Sequence, residues 1–388
     1  MRKKLNYIIG IVVCVMFCLM SIQVFQKTIN ISKTYGLFKN KKIIEANATG
    51  TAVATSNWDT NKVNIVYDTA GVAVPVPKGY VASGADGEHT VATGFVIYEG
   101  EEEVTNDNVW DESTERNQWV WIPVSDSSRI FASETKAKTY YYFSTYRRLK
   151  SSSRGTAEPT ILPSYSTERY FSNNSHQGKE QETYYEEVIS KFIDTKKSIE
   201  KYGGFYIGRY ELGDVSENKP VVKRMNEDIA SYRNSYEVLS KTKYLAGNNN
   251  VKTSLIFGCL WDETLQWLVD TNNKTYGQIY ESSSWGNYKD STFEYQTSYG
   301  TVETKESNTS LRIPTGSTEY TKANNIYDLA GNVLEYTMER NDTTDRYWRG
   351  GYHVSASSSS NSAQGRISSA TPASTGYSYG WRAYMYIQ

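Results

Sequence analysis

The sequence predicts an α+β protein with little regular secondary structure, preceded by an N-terminal transmembrane helix and a small β segment. Three observations predict it. An uncharged, mostly apolar run of 22 residues, Leu5 to Gln26, follows Arg2, Lys3 and Lys4, and that length crosses a bilayer as a helix. Short β-rich runs broken by Gly, Pro and Asp fill much of the remainder. Only two segments carry apolar residues at helical spacing over any length.

Basic residues ahead of the apolar run predict a cytoplasmic N-terminus and an exported body. No small-x-small pair closes the run, which favours a retained anchor at 1–26 over a cleaved signal peptide, with secretion as the alternative. Residues 27–60 include ANATGTAVATSN and read as a polar linker. Val63–Tyr67, Val72–Val76 and Thr93–Tyr98 predict strands of a small β segment spanning 61–116. Glu99 to Glu103 form an acidic turn, expected as a solvated loop.

The main domain is expected at 117–388, with an insertion at 133–180 where Ser, Asn and Arg prevail from Arg147 to Gly178. From Glu182 to Tyr202, Tyr185, Val188, Ile189, Phe192, Ile193 and Ile199 recur at helical spacing, and Gly203-Gly204 stops the helix. From Trp261 to Val269, Trp261, Leu265 and Leu268 line one face, with Asp262 and Glu263 favourably placed in the first turn.

The charges nearly cancel, at net −1, which excludes a polyelectrolyte surface for nucleic acid. Tyrosine is the outlier, 33 against 11 Phe, and suits exposed β-rich surfaces and recognition loops. Cys14 and Cys18 lie in the anchor, so Cys259 is the one thiol of the body and makes no internal disulfide there. Its apolar neighbours in IFGCLW predict an inert, buried thiol.

Four C-terminal phrases follow in order: Leu311-Arg312-Ile313-Pro314-Thr315, Gly331-Asn332-Val333-Leu334-Glu335-Tyr336, Arg349-Gly350-Gly351 and Gly380-Trp381-Arg382. Upstream stand Trp119-Val120-Trp121-Ile122-Pro123-Val124, then Gly204-Phe205-Tyr206-Ile207-Gly208-Arg209-Tyr210-Glu211, then the helix near Phe257 to Val269. Together these resemble the formylglycine-generating enzyme/sulfatase-modifying factor family, whose fold is a variant of the C-type lectin fold. The resemblance covers Asn117 to Gln388. It implies that Gly331, Gly350 and Gly351 allow tight backbone geometry and that Trp348 and Trp381 fill the core.

The family's oxygen-dependent members bind copper(I) through two cysteines after the "RGG" phrase. Those positions fall on Ser355 and Ser360, and a serine hydroxyl is a poor ligand for a soft cation. No copper is expected, and formylglycine generation is disfavoured. Iron-dependent relatives need clustered histidines, whereas His89, His176 and His353 are scattered over three regions. By position the resemblance also carries a structural calcium site onto Asn332, Val333 and Glu335, since hard calcium takes amide, carbonyl and carboxylate oxygens. The other reading of these residues has Asn332 making a turn and Glu335 pairing with a basic side chain such as Arg382.

Ser355 to Ser378 holds ten Ser and four Ala in 24 residues with one charge, Arg366, too little apolar area to bury, so a solvent-facing loop is expected. The family's variable ligand-binding proteins, some diversified by mutagenic retroelements, display changeable residues in this region. The expected ligand contacts are Tyr352, His353, Ser355, Ser357, Arg366, Tyr377 and Tyr379. The sequence thus predicts a non-catalytic, membrane-anchored bacterial surface protein that binds an extracellular protein or glycan. A formylglycine-type oxidoreductase and a structural envelope protein are the alternatives.

Overall fold

In a computed structural model, the described residues are 53–124, 127, 141–143, 147–149, 159–161, 165–167, 179–213, 220–226, 235–340, 346–370 and 376–388. The expected anchor at 1–26 and most of the linker at 27–60 lie outside them. Among the described residues, no helix is long and apolar enough to cross a membrane.

The architecture mixes α and β. A first hairpin pairs β1 (Val63–Tyr67) with β2 (Ala73–Pro77). Then come β3 (Tyr80–Ala82), β4 (Val96–Glu99), the short α1 (Val109–Glu115) and β5 (Gln118–Pro123). Within residues 133–180, β6 (Tyr141–Phe143) pairs with β9 (Tyr165–Thr167), and β7 (Arg147–Leu149) with β8 (Pro159–Ile161). Next follow α2 (Lys179–Tyr202), β10 (Gly204–Gly208), α3 (Ser235–Thr242), β11 (Val251–Leu255), α4 (Gly258–Asp270) and α5 (Tyr276–Glu281). The hairpin of β12 (Phe293–Ser298) and β13 (Thr301–Lys305) precedes β14 (Leu334–Arg340), β15 (Arg346–Arg349), β16 (Ile367–Ala370), β17 (Tyr379–Trp381) and β18 (Ala383–Ile387).

The main sheet is antiparallel, in the order β11-β18-β10-β5-β4-β3. Its central strands are buried along their whole length, as GFYIG in β10 and AYMYI in β18 are, which is why they read as continuous apolar runs without alternation. The helix α2 covers β10 and β18, burying Phe192, Ile193 and Ile199 at the expected spacing. Cys259 is fully buried in α4.

The small β segment at 61–116 is not a unit of its own. β4 pairs with β5 through Val96 and Val120, so the expected boundary at 117 falls inside one sheet. The reason is backbone hydrogen bonding: β4 and β5 supply each other's donors and acceptors, which burial would otherwise leave unmet. The Tyr206 hydroxyl also donates to the Pro75 carbonyl at 3.1 Å, and Arg209 meets Glu88 at 2.5 Å with both side chains buried.

Candidate functional site

The second sheet, β16-β15-β14-β17, supports the C-terminal face. β14 runs antiparallel to β15 and parallel to β17. Rings climb this sheet from core to surface. Trp381 stacks on Tyr336 at 4.7 Å between centroids, Tyr336 meets Trp348 edge-on at 6.3 Å, and Trp348 stacks on half-buried Tyr379 at 4.5 Å.

Asn332 sits at the centre, with φ +59°, a left-handed conformation that Asn tolerates better than most residues. Its Nδ2 donates to Glu211 Oε2 at 2.6 Å and to the Ile313 carbonyl at 3.2 Å. Its Oδ1 accepts from Asn287 Nδ2 at 3.0 Å and from Ile313 N at 3.1 Å. Its carbonyl accepts from the backbone N and ring Nδ1 of His353. One residue therefore ties together the "RIPT" phrase, the "GNVLEY" phrase, the "RGG" turn and the end of the Gly204–Glu211 phrase.

The expected metal residues are engaged inside the protein. Val333 N donates to Glu211 Oε1 at 3.3 Å. Glu335 accepts from Arg382 through Nε at 2.7 Å and through Nη2, while the same guanidinium donates to the carbonyls of Gly208 and Tyr327. Both amide atoms of Asn332 are already used. These side chains, as placed, form a turn and a buried ion pair. Among the described residues, no group of three His, Cys, Asp or Glu side chains is placed to hold a metal.

Three fully buried carboxylates, Glu211, Asp328 and Glu335, lie in the field of the Arg382 guanidinium, which hydrogen-bonds Glu335. Burial pushes Glu211 well above the usual carboxylate range, and the charges of Asp328 and Glu335 push it further. Burial likewise lifts Glu335 from 4.5 to about 7, against the pull of Arg382. Groups whose pKa rises on folding hold protons more tightly in the native state, so stability falls as pH climbs from about 4.5 to about 7. Urea unfolding at pH 5 and pH 8 is expected to differ by roughly 2 to 3 kcal/mol in favour of pH 5. The isosteric neutral change Glu335→Gln should flatten that dependence; an unaltered profile would show that Glu335 does not titrate in this range.

The Ser-rich segment is held by side-chain pins. Gly351, at φ +76°, turns the chain where an added Cβ would lie 2.6 Å from Asn361 Oδ1. Asn361 Oδ1 accepts from Tyr352 N, and its Nδ2 donates to the carbonyls of Ser355 and Ala356. Asp290 accepts from the backbone N and the hydroxyl of Ser357, both at 2.9 Å. Trp261 Nε1 donates to the Ala363 carbonyl, and Asp262 pairs with both Arg349 and Arg366. The segment buries Asn361, Ser362 and Ala363 while Ser358, Ser359 and Ser360 face solvent. The Ser360 hydroxyl lies 3.2 Å from that of Ser358, and the Ser355 carbonyl accepts from Lys289 N.

No family model matches the chain, and no curated protein sequence matches it. Among solved structures it is similar to Treponema denticola variable protein 1, with 13% identity, a TM-score of 0.25, and coverage of 70% of this chain and 96% of that one. A likeness this slight transfers neither fold nor function.

Five of the seven expected contacts reach at least partly toward solvent. Tyr377 is 49% exposed, with the Arg312 guanidinium 3.9 Å above its ring, and Tyr352, Ser355, Ser357 and Tyr379 are half-buried. Two expectations are corrected. The Arg366 side chain is 4% exposed because Asp262 draws it inward, and His353 is buried under Tyr377. Burial, together with nearby Arg312 and Lys305, lowers the His353 pKa, which its bond to Asn332 only partly offsets. Arg312, Asp290 and Asn361 join the site without having been expected there. Asp290 is 67 residues from its partner Ser357, and nothing local in sequence announces such a pairing.

Proposed function

We propose that this protein is a membrane-anchored, outward-facing binding protein, built on a C-type-lectin-like, sulfatase-modifying-type fold that lacks the copper-binding cysteines. One observation carries the reading. The Ser-rich segment is pinned from beneath by Asn361, Asp290 and Asp262, yet leaves Val354, Ser358 to Ser360 and Tyr377 exposed. A fixed surface of short polar side chains with a presented tyrosine offers contact area at small entropy cost. Serines at 355 and 360, where the family's oxidases have thiolates, support binding over oxidation.

The test is capture of surface proteins and glycans from arrays by the purified protein, comparing wild type with Ser359→Arg and Tyr377→Ala. Ser359→Arg adds bulk at an exposed position, and Tyr377→Ala removes the presented ring. Each is expected to weaken capture by about tenfold or more, the effect of an interface anchor. An array that captures equally well with all three proteins would place the binding face elsewhere. Tight copper(I) binding with oxygen uptake on a cysteine-containing sulfatase peptide would replace the binding reading with an oxidase.

A further inference from the structure

Lys305 ends β13, whose preceding residues 301–304 are all exposed, yet it is itself only 1% exposed. Its ammonium enters the turn 288–291. It donates to the carbonyls of Tyr288 and Ser291, both at 2.8 Å, with that of Lys289 at 3.5 Å. The turn closes on itself as well, since Tyr288 N donates to the Ser291 hydroxyl and that hydroxyl donates to the Tyr288 carbonyl. An ammonium has three N–H donors and no acceptor. Backbone carbonyls converging on one point are also what proteins offer a dehydrated monovalent cation. Burial lowers the Lys305 pKa and the neighbouring Asp290 carboxylate offsets part of this.

We propose that the turn 288–291 is a cation site which the chain fills with its own Lys305, and that this tethered cation holds the Ser-rich segment in place. Three residues of the turn make the connection. Asp290 takes both bonds from Ser357, Lys289 N donates to the Ser355 carbonyl, and the Tyr288 hydroxyl donates to the Gly350 carbonyl at 2.9 Å. Lys305 is thus a positioning residue, acting on the segment through the turn. Its consequence for ligand capture rests on the binding reading above; the cation site itself does not.

Hydrogen exchange of the full-length protein in detergent tests this, with wild type, Lys305→Met and Lys305→Ala compared. Lys305→Met keeps the stem and removes the donors. Exchange at 288–291 and 355–361 is expected to rise on the order of tenfold, as for a lost hydrogen bond to a charged group, with the β10–β18 ladder unchanged. In Lys305→Ala the carbonyls are open, so potassium or ammonium chloride should restore protection where choline chloride at equal ionic strength does not. Wild type should show no such difference. Wild-type protection in Lys305→Met, or restoration by choline as readily as by potassium, would overturn the proposal. If Lys305→Ala does not fold, the exchange of Lys305→Met decides the question. The readout needs no ligand, so failure to capture one leaves it intact. Conversely, unchanged protection with lost capture would refute the tether and leave the binding face standing.

Discussion

Replacing Arg382 by methionine is expected to cost about 3 to 5 kcal/mol, the range for breaking a buried ion pair from one side. The guanidinium is fully buried and donates to both oxygens of Glu335 and to the carbonyls of Gly208 and Tyr327. Its loss strands Glu335 without a counter-charge beside Glu211 and Asp328. Domains are stable by only about 5 to 15 kcal/mol, so much of the Arg382→Met protein should be unfolded or insoluble. Adding Glu335→Gln removes the stranded charge and should recover part of the loss. Urea unfolding followed by tryptophan fluorescence would measure the cycle. A single-variant cost below about 1 kcal/mol would mean that the pair is solvated and not a core element.

Asn332→Ala is the second large effect, expected at about 3 to 4 kcal/mol once relaxation is allowed for, since Asn287 Nδ2 and Glu211 keep other partners. The change leaves Glu211, Asn287 and both backbone groups of Ile313 without a partner they now have, and orphaned buried polar groups cost about 1 to 3 kcal/mol each before relaxation. It also places alanine at φ +59°, a further cost of about 1 to 2 kcal/mol. Asn332→Gly removes the backbone part alone, so it should be less damaging than alanine by about 1 kcal/mol. Thermal or urea unfolding of both variants separates the two contributions. Equal losses would show that backbone strain is not part of the role of Asn332.

Much of the fold was legible because short-range patterns carry it. The helix expected at Glu182–Tyr202 is α2, beginning three residues earlier, and that expected at Trp261–Val269 is α4, extended to Gly258 and Asp270. Val63–Tyr67 is β1 to the residue. Apolar periodicity marks both helices, and Gly203-Gly204 closes the first. The pairing of Glu335 with Arg382 stood as one of two readings of the "GNVLEY" phrase, since residue type alone allows a carboxylate either a metal or an arginine.

The surface of the Ser-rich segment was legible only in outline. Composition placed Ser355 to Ser378 at the surface, and Ser358 to Ser360 do face solvent. Composition did not reveal that Asn361, Ser362 and Ala363 turn inward, nor that Arg366 and His353 are spent on the core. A polar residue can be buried when a partner satisfies it, and the partners, Asp262 and the Asn332 carbonyl, lie 104 and 21 residues away.

The sequence by itself determined the helices α2 and α4, strand β1, the burial of Cys259 and the absence of a cysteine pair after the "RGG" phrase, because these follow from local pattern and residue chemistry. Tertiary structure alone decided that the 61–116 segment joins the main sheet, that the terminal strand β18 inserts between β10 and β11, and that Lys305 ends among backbone carbonyls. Those outcomes depend on which distant groups close one another's hydrogen bonds and charges, and that balance is struck only when the whole chain packs.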